Sequence, residues 1–428
     1  MGHRMELCHA VLTALFNGPE LAQWTLANGV RCVTAEMPEA PLTCLDLWCR
    51  AGSTSERSGE EGIAHFLEHM VFKGSDRLKS GDFDREIEAL GGSSNAATGF
   101  DDVHFHVLIP REQAAKALSL LLDLVLSPAL LDQPFSMERD VVLEEIAQYQ
   151  DQPDEQVWQQ LLSRACGGHP YGRPILGDPA SLRAMQPADM RRFHSSRYRG
   201  ANCCLAVSGS GAMALRPWIE ASALAALPPA PENSTDPAMM TVKPGRHCID
   251  VDRLESARLL MLWSGAAAMD QAWVMGADLA TTLLGEGRRS RLVSQLREEL
   301  QIAETVDMDL SALELGSLVT LEISCDPADL PQVEACVHER LTSPTPFSQV
   351  ELERGRQLVG NGLRYALESS AQVASMSASQ TLWGRPSGLL EPLKLLQHWS
   401  DERLHDELMP LLQPQRACTL IALPGAQS

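Results

Sequence analysis

The sequence has no run of about 18 uncharged apolar residues, the length a helix needs to cross a bilayer. Its longest apolar stretch, Leu118 to Leu131, is broken by Asp123 and Pro128, so no transmembrane helix is expected. C-x-x-C spacing is also absent. The 11 cysteines are scattered and odd in number, and Cys203 and Cys204 form the only close pair. That pattern argues against a disulfide scaffold or a cysteine-based zinc site and for reduced, partly buried thiols. Positive charge is in short supply: Lys+Arg number 35 against 56 Asp+Glu, a net charge of −21. A chain this acidic repels phosphates and anionic lipid headgroups, which argues against nucleic-acid and membrane-surface partners. It remains compatible with neutral or basic peptides. As a secretory signal the first residues are weak. Leu7 to Phe16 is short and interrupted by His9, with one Arg and an opposing Glu6 ahead of it and no small-x-small site before Asn17. A cytoplasmic location is the expectation. No short-period repeat indicates a solenoid. Gly285 to Arg289 lacks the spacing of a phosphate-binding loop.

At 428 residues, 44% hydrophobic and 21% charged, the chain reads as a folded protein of two or three domains. The clearest boundary is 223–245, which holds Pro228, Pro229, Pro231, Pro237 and Pro244 and has the composition of a linker. The halves on either side share an order of elements. Strand-like segments Val30 to Glu36 and Leu42 to Arg50 open the first half, and His247 to Val251 and Arg258 to Ser264 open the second. Helical stretches follow at Gly62 to Phe72 and Ala272 to Leu284. Further amphipathic helices are predicted at Ala114 to Val125 and Glu351 to Leu367. The expected organisation is an N-terminal extension (1–19), a first domain (20–222), the linker (223–245) and a second, similar domain (246–428). The fold class is α+β, in duplicate.

Candidate chemistry lies in Glu60 to Ser75, EEGIAHFLEHMVFKGS. Ile63, Phe66, Leu67, Met70 and Val71 recur at helical spacing as an inward face. His65 and His69 are four apart, so both imidazoles leave one face about a turn apart, a spacing suited to one tetrahedral zinc. Glu68 is placed to reach a water at the metal, the geometry of a general base. The order is H-x-x-E-H. A third ligand is expected in the helix Glu138 to Asp151, ERDVVLEEIAQYQD, with Val141, Val142 and Ile146 as its apolar strip. Glu138 and Glu145 share a face and Glu144 points about 100° away. Spacing alone leaves open which Glu binds, and the pair also fits a solvated acidic face.

Together with AGSTSE ahead of it, this segment resembles the signature of the pitrilysin-type (inverzincin) zinc metallopeptidases. The match is to the half-length branch that includes mitochondrial processing peptidase and its bacterial homologues. Further stretches agree in order: ALGGSSNAATGFDDVHFHV (89–107), ERDVVLEEIAQ (138–148), HPYGRPILGDPASL (169–182) and SRLVSQLREEL (290–300). The resemblance implies two α+β domains of one kind, each a mostly antiparallel sheet packed by helices. It implies one Zn2+ per chain held by His65, His69 and Glu145, with Glu68 as the catalytic base and Glu138 as an auxiliary catalytic carboxylate. Peptides, entering unfolded a chamber formed by two chains, would add as a strand along Ser93 to Val107 and be held at Asn95, Ala96 and Thr98. His104 and His106 alternate with Phe105 and read as strand residues rather than ligands, and His169 as a loop residue. Arg297 matches the family's substrate-contacting Arg, but Glu304 stands where a Tyr is expected seven residues later. A carboxylate does not donate to a developing oxyanion as a phenol does. The expected function is a zinc endopeptidase, favoured over a catalytically silent assembly subunit because the ligand set is complete. A non-catalytic zinc module would need a fourth protein ligand. The Glu304 departure favours a heterodimer with a homologous chain over a homodimer.

Overall fold

The computed structural model describes residues 18–230, 237–343, 345–385 and 388–425. The N-terminal extension expected over 1–19 therefore lies, but for its last two residues, outside the described residues, as does 231–236 of the linker. Two compact units are present. Unit 1 takes the described residues within 1–146, 174–235 and 363–391; unit 2 takes those within 147–173, 236–362 and 392–428. They are not the contiguous halves on either side of 223–245, because each unit includes a stretch from the other half.

Unit 1 is built on a six-stranded sheet of β1 (Leu21–Thr25), β2 (Arg31–Glu36), β3 (Thr43–Cys49), β4 (Ser93–Thr98), β5 (Val103–Ile109) and β6 (Cys203–Gly209). The spatial order is β1-β2-β6-β3-β5-β4. The β2/β6 pair is parallel and the others antiparallel. Labelling helices of eight or more residues, α1 (Ile63–Val71), α2 (Asp82–Ala89), α3 (Ala114–Leu126), α4 (Asp132–Gln150) and α6 (Pro187–Arg197) contribute to one large core with the sheet. The opposite face of the sheet is covered by α10 (Ser370–Trp383), whose Ala374, Ala378 and Leu382 pack with Val33, Cys44, Trp48, Cys204 and Ala206. Covered on both faces, β3 and β6 are buried along their whole length.

Unit 2 repeats the plan with β7 (Gly245–Val251), β8 (Ala257–Ser264), β9 (Thr305–Ser311), β10 (Leu318–Cys325) and β11 (Cys418–Pro424), in the order β7-β11-β8-β10-β9. Again one pair, β11/β7, is parallel. With β1 set aside the two sheets have the same topology, the duplication expected from the order of elements. Helix α5 (Pro153–Cys166) packs on β11, β7 and β8. The unit's other labelled helices are α7 (Gln271–Gly285) and α8 (Leu330–Thr342), with α9 (Gln349–Ala366) running through the 362/363 division. Among the described residues, no helix is long and apolar enough to cross a membrane.

Three local expectations differ from the structure. The strand read over Ser93 to Val107 is a hairpin, β4 and β5. Its loop closes by Gly99 N donating to Asp102 O (2.8 Å) and is held from outside by Ser53 N to Gly99 O (3.1 Å) and Thr54 N to Phe100 O (2.8 Å). The helix matched over Ser290 to Leu300 is a π-helix over Val293–Glu299, with Leu300 N reaching Gln295 O at 3.0 Å. Val141, placed on the apolar strip of α4, is 51% exposed, while Phe135, Glu138, Val142 and Ile146 form the buried face.

Candidate metal centre

Helix α1 is fixed by its apolar face and by its first turn. Ile63, Phe66, Leu67 and Met70 are almost fully buried in the unit 1 core, a contribution of about 1.5–3 kcal/mol each. At the N-terminus the Glu56 carboxylate accepts from Gly62 N (3.1 Å) and Ala64 N (3.0 Å), satisfying two amides the helix leaves unpaired. Gly62 caps the helix at φ +93°, and Gly177 (φ +83°) packs directly on it. A Cβ at Gly177 would sit 2.4 Å from Glu61 O and from Gly62 Cα, so these glycines let the GDPASL segment lie against the start of α1.

Of the three polar side chains on α1, His65 is 9% exposed and Glu68 and His69 are half-buried. Helix α4 brings its carboxylates to them. Glu145 Oε2 lies 3.4 Å from His69 Nε2 and 3.8 Å from His65 Nε2. Donors of a tetrahedral zinc site, with bonds of about 2.0–2.1 Å, lie about 3.4 Å apart, so this trio fits one such ion. Burial, followed by repulsion from His69, lowers the His65 pKa to about 4, which keeps its imidazole neutral and able to ligate. Glu144 is exposed.

Glu138 stands behind the trio. It is 7% exposed, accepts from His69 Nδ1 (2.9 Å) and pairs with Lys73 Nζ (2.6 Å). Paired with that ammonium, it accepts from Nδ1 of His69 and so leaves the Nε2 lone pair facing Glu145, the usual arrangement behind a metal-binding histidine. His65 Nδ1 has no hydrogen-bond partner among the described residues, so packing alone orients that ring. Sequence reasoning did not find Lys73; its position four residues after His69, one turn along the same face, was the available signal.

Glu68 Oε2 accepts from Thr98 Oγ1 at 2.5 Å. Desolvation raises the Glu68 pKa, against the lowering effect of the Thr98 bond and the neighbouring histidines. Thr98, expected at the substrate, thus touches the candidate base. Asn95, Ala96 and Thr98 all lie on β4, the edge strand of the sheet, where Asn95 Oδ1 accepts from the Ala96 amide (2.9 Å). Arg297 is exposed in the π-helix of unit 2. Glu304 accepts from Ser256 Oγ (2.8 Å) and Ser324 Oγ (3.4 Å) within unit 2. His169 accepts from Tyr171 N and reaches Ala238 O, as a loop residue does. Among the described residues, a second trio of close donors is Asp46, His104 and His106.

The profile of Insulinase (Peptidase family M16) matches residues 31–179, and that of the Peptidase M16 inactive domain matches 184–359. A Rickettsia felis protein named uncharacterized zinc protease is 30% identical over 284 residues, 66% of this chain and 68% of that protein. The Bacillus subtilis protein named uncharacterized zinc protease YmxG is 26% identical over 414 residues, 95% of this chain and 99% of that one. The solved structure of a protease from Helicobacter pylori superposes with a TM-score of 0.84 at 23% identity, covering 95% of this chain and 100% of the other. A Pseudomonas fluorescens structure described as a peptidase M16 inactive domain gives 0.85 at 20% identity, covering 96% and 99%. These two share the fold. The chain belongs to peptidase family M16, the pitrilysin-type metallopeptidases, in its half-length form.

Proposed function

We propose that the protein is a zinc-dependent endopeptidase acting on unfolded peptides in the cytoplasm, with His65, His69 and Glu145 as ligands of one Zn2+ and Glu68 as general base. The observation that carries this reading is the convergence of His65 Nε2 and His69 Nε2 on one oxygen of Glu145, at 3.8 and 3.4 Å, beside the proton-avid Glu68. When bound, zinc supplies Lewis acidity, which acidifies an attacking water and polarises the scissile carbonyl. Glu68 takes the proton of that water, an uptake its raised pKa favours, and delivers it to the leaving amine, which is the stronger base. Thr98 holds one Glu68 oxygen and leaves the other to the proton. Glu138 acts as a positioning residue for His69, not as a group that meets substrate. The peptide adds to the free edge of β4, where Asn95 and Ala96 lie. Glu68→Gln is expected to keep zinc and lower hydrolysis by at least about 10²–10⁴-fold. Zinc loss equal to that of His65→Ala would overturn the assignment.

The reading extends to a chamber shared with a homologous chain. Glu304 is committed to Ser256 and Ser324 of its own sheet and offers no donor to an oxyanion. A partner chain lacking the zinc motif then supplies the Arg and Tyr, whereas in a homodimer Arg297 acts alone. Activity of the isolated chain is to be compared with Glu304→Tyr and with a partner-containing mixture. Full activity of the isolated wild type, with no gain from either, removes the heterodimer.

A further inference from the structure

We infer that Asp46, His104 and His106 form a second site, for a divalent late transition-metal ion, on the face of the unit 1 sheet opposite α1. Side chains alternate along β3 and β5. Leu45, Leu47, Phe105 and Val107 enter the core shared with α1, and Asp46, Trp48, His104 and His106 face the other way. Asp46 lies directly across the β3/β5 ladder from His106, and His104 is the next residue on that face. The donor atoms of all three lie within 4.8 Å of one another, and His104 Nδ1 is 3.0 Å from Asp46 Oδ1.

Three features point to a cation rather than to a plain ion pair. Asp46 is 1% exposed, and a buried carboxylate is costly without positive charge beside it. The Asp46–His104 pair accounts for two of the three residues. It leaves His106 Nδ1 buried and without a hydrogen-bond partner among the described residues. The rings are also held in place: His104 stacks on Trp48 (centroids 4.6 Å apart) and on His106 (5.7 Å, planes 18° apart). Two imidazoles and one carboxylate suit Zn2+, Co2+, Ni2+ or Cu2+ and not Mg2+ or Ca2+. Entry is open from the side of β4, where Ala97 and Asn95 stand opposite His104 and His106 and are exposed. A bound ion ties β3 to β5 next to the edge strand and stabilises the folded chain by mass action.

The test uses the full chain carrying His65→Ala and His69→Ala, which removes the first site. After stripping, this variant is expected to bind one Co2+ per chain, to show the d–d absorption of a site with imidazole ligands, and to melt at a higher temperature with Zn2+. Cu2+ bound to it is expected to show coupling to two nitrogens by EPR. Adding His104→Ala and His106→Ala is expected to abolish all four signals, with circular dichroism checking the fold. Absence of metal from the His65→Ala/His69→Ala protein overturns the proposal without need of the second pair of substitutions. Unchanged binding in the quadruple variant overturns it as well.

Discussion

The two units share a strand order and part ways at the helix that follows the β3/β8 position. In unit 1 that helix is α1, nine residues long, and it places His65, Glu68 and His69 among an otherwise apolar face. In unit 2 it is α7, fifteen residues with no histidine and a single acid, Asp278, and it is buried on nearly every side. The sheet topology needs only a helix that covers apolar strands, and α7 meets that need with a single ionisable side chain, Asp278. Burying three ionisable side chains on α1 costs free energy that nothing in the topology requires. It is offset by Glu145 and Glu138 from α4, by Thr98 from β4 and by Lys73 just past the end of α1. The scaffold is thus common to both units, while the cluster of three ionisable side chains with its partners is confined to one.

Removing the ligands should have the largest effect and erase the difference between the units. His65→Ala or Glu145→Gln is expected to abolish zinc at the first site and hydrolysis with it, read by metal analysis of that site and peptide cleavage on the same samples. Asp278→Asn, the matched change in unit 2, should leave both intact. Glu138→Gln should have an intermediate effect, a loss of about 10–100-fold in zinc affinity by competitive chelator titration, because the charged acceptor behind His69 becomes a neutral amide that raises ligand basicity less. An unchanged affinity would mean that packing alone orients His69.

The smallest effect is on stability. Burial, with repulsion from Glu286, raises the Asp278 pKa to about 6, above its ordinary value of 3.8. The native state therefore binds more protons than the unfolded chain. The associated stability is fully present below pH 3.8 and is lost as pH rises through 6. Asp278→Asn should raise the melting temperature at pH 8 by the equivalent of about 1–2 kcal/mol and leave it unchanged near pH 3.5. A gain of the same size at both pH values would assign the effect to packing instead of charge.

Much of the fold could be read without the structure because its signals are local. The strands at 31–36 and 43–49 and their counterparts at 245–251 and 257–264 fall within two residues of the expected spans. The apolar positions of α1 are all buried, as their spacing required. At the hairpin and at Val141, contacts distant in sequence overturned the expectation. The hairpin at 99–102 is held by residues 52–54, and Val141 is exposed because the face of α4 that packs includes the acid Glu138. Spacing left open whether Glu138 or Glu145 meets the histidines, and only the contacts of Glu138 with His69 and Lys73 place it behind the His65, His69 and Glu145 trio.

The sequence by itself determined the i, i+4 histidines with Glu68 between them, the order of elements in each half and the family resemblance, since each depends on neighbours within a few turns of chain. Tertiary structure alone decided which helix covers which sheet: α5 from the first half lies on the unit 2 sheet and α10 from the second half on the unit 1 sheet. It also decided that Asp46 would meet His104 and His106, residues nearly sixty positions away. Helix and strand periodicity fixes the direction in which a side chain leaves its own element, whereas its partner depends on ladder register and helix docking, which are chosen by the burial of the whole core.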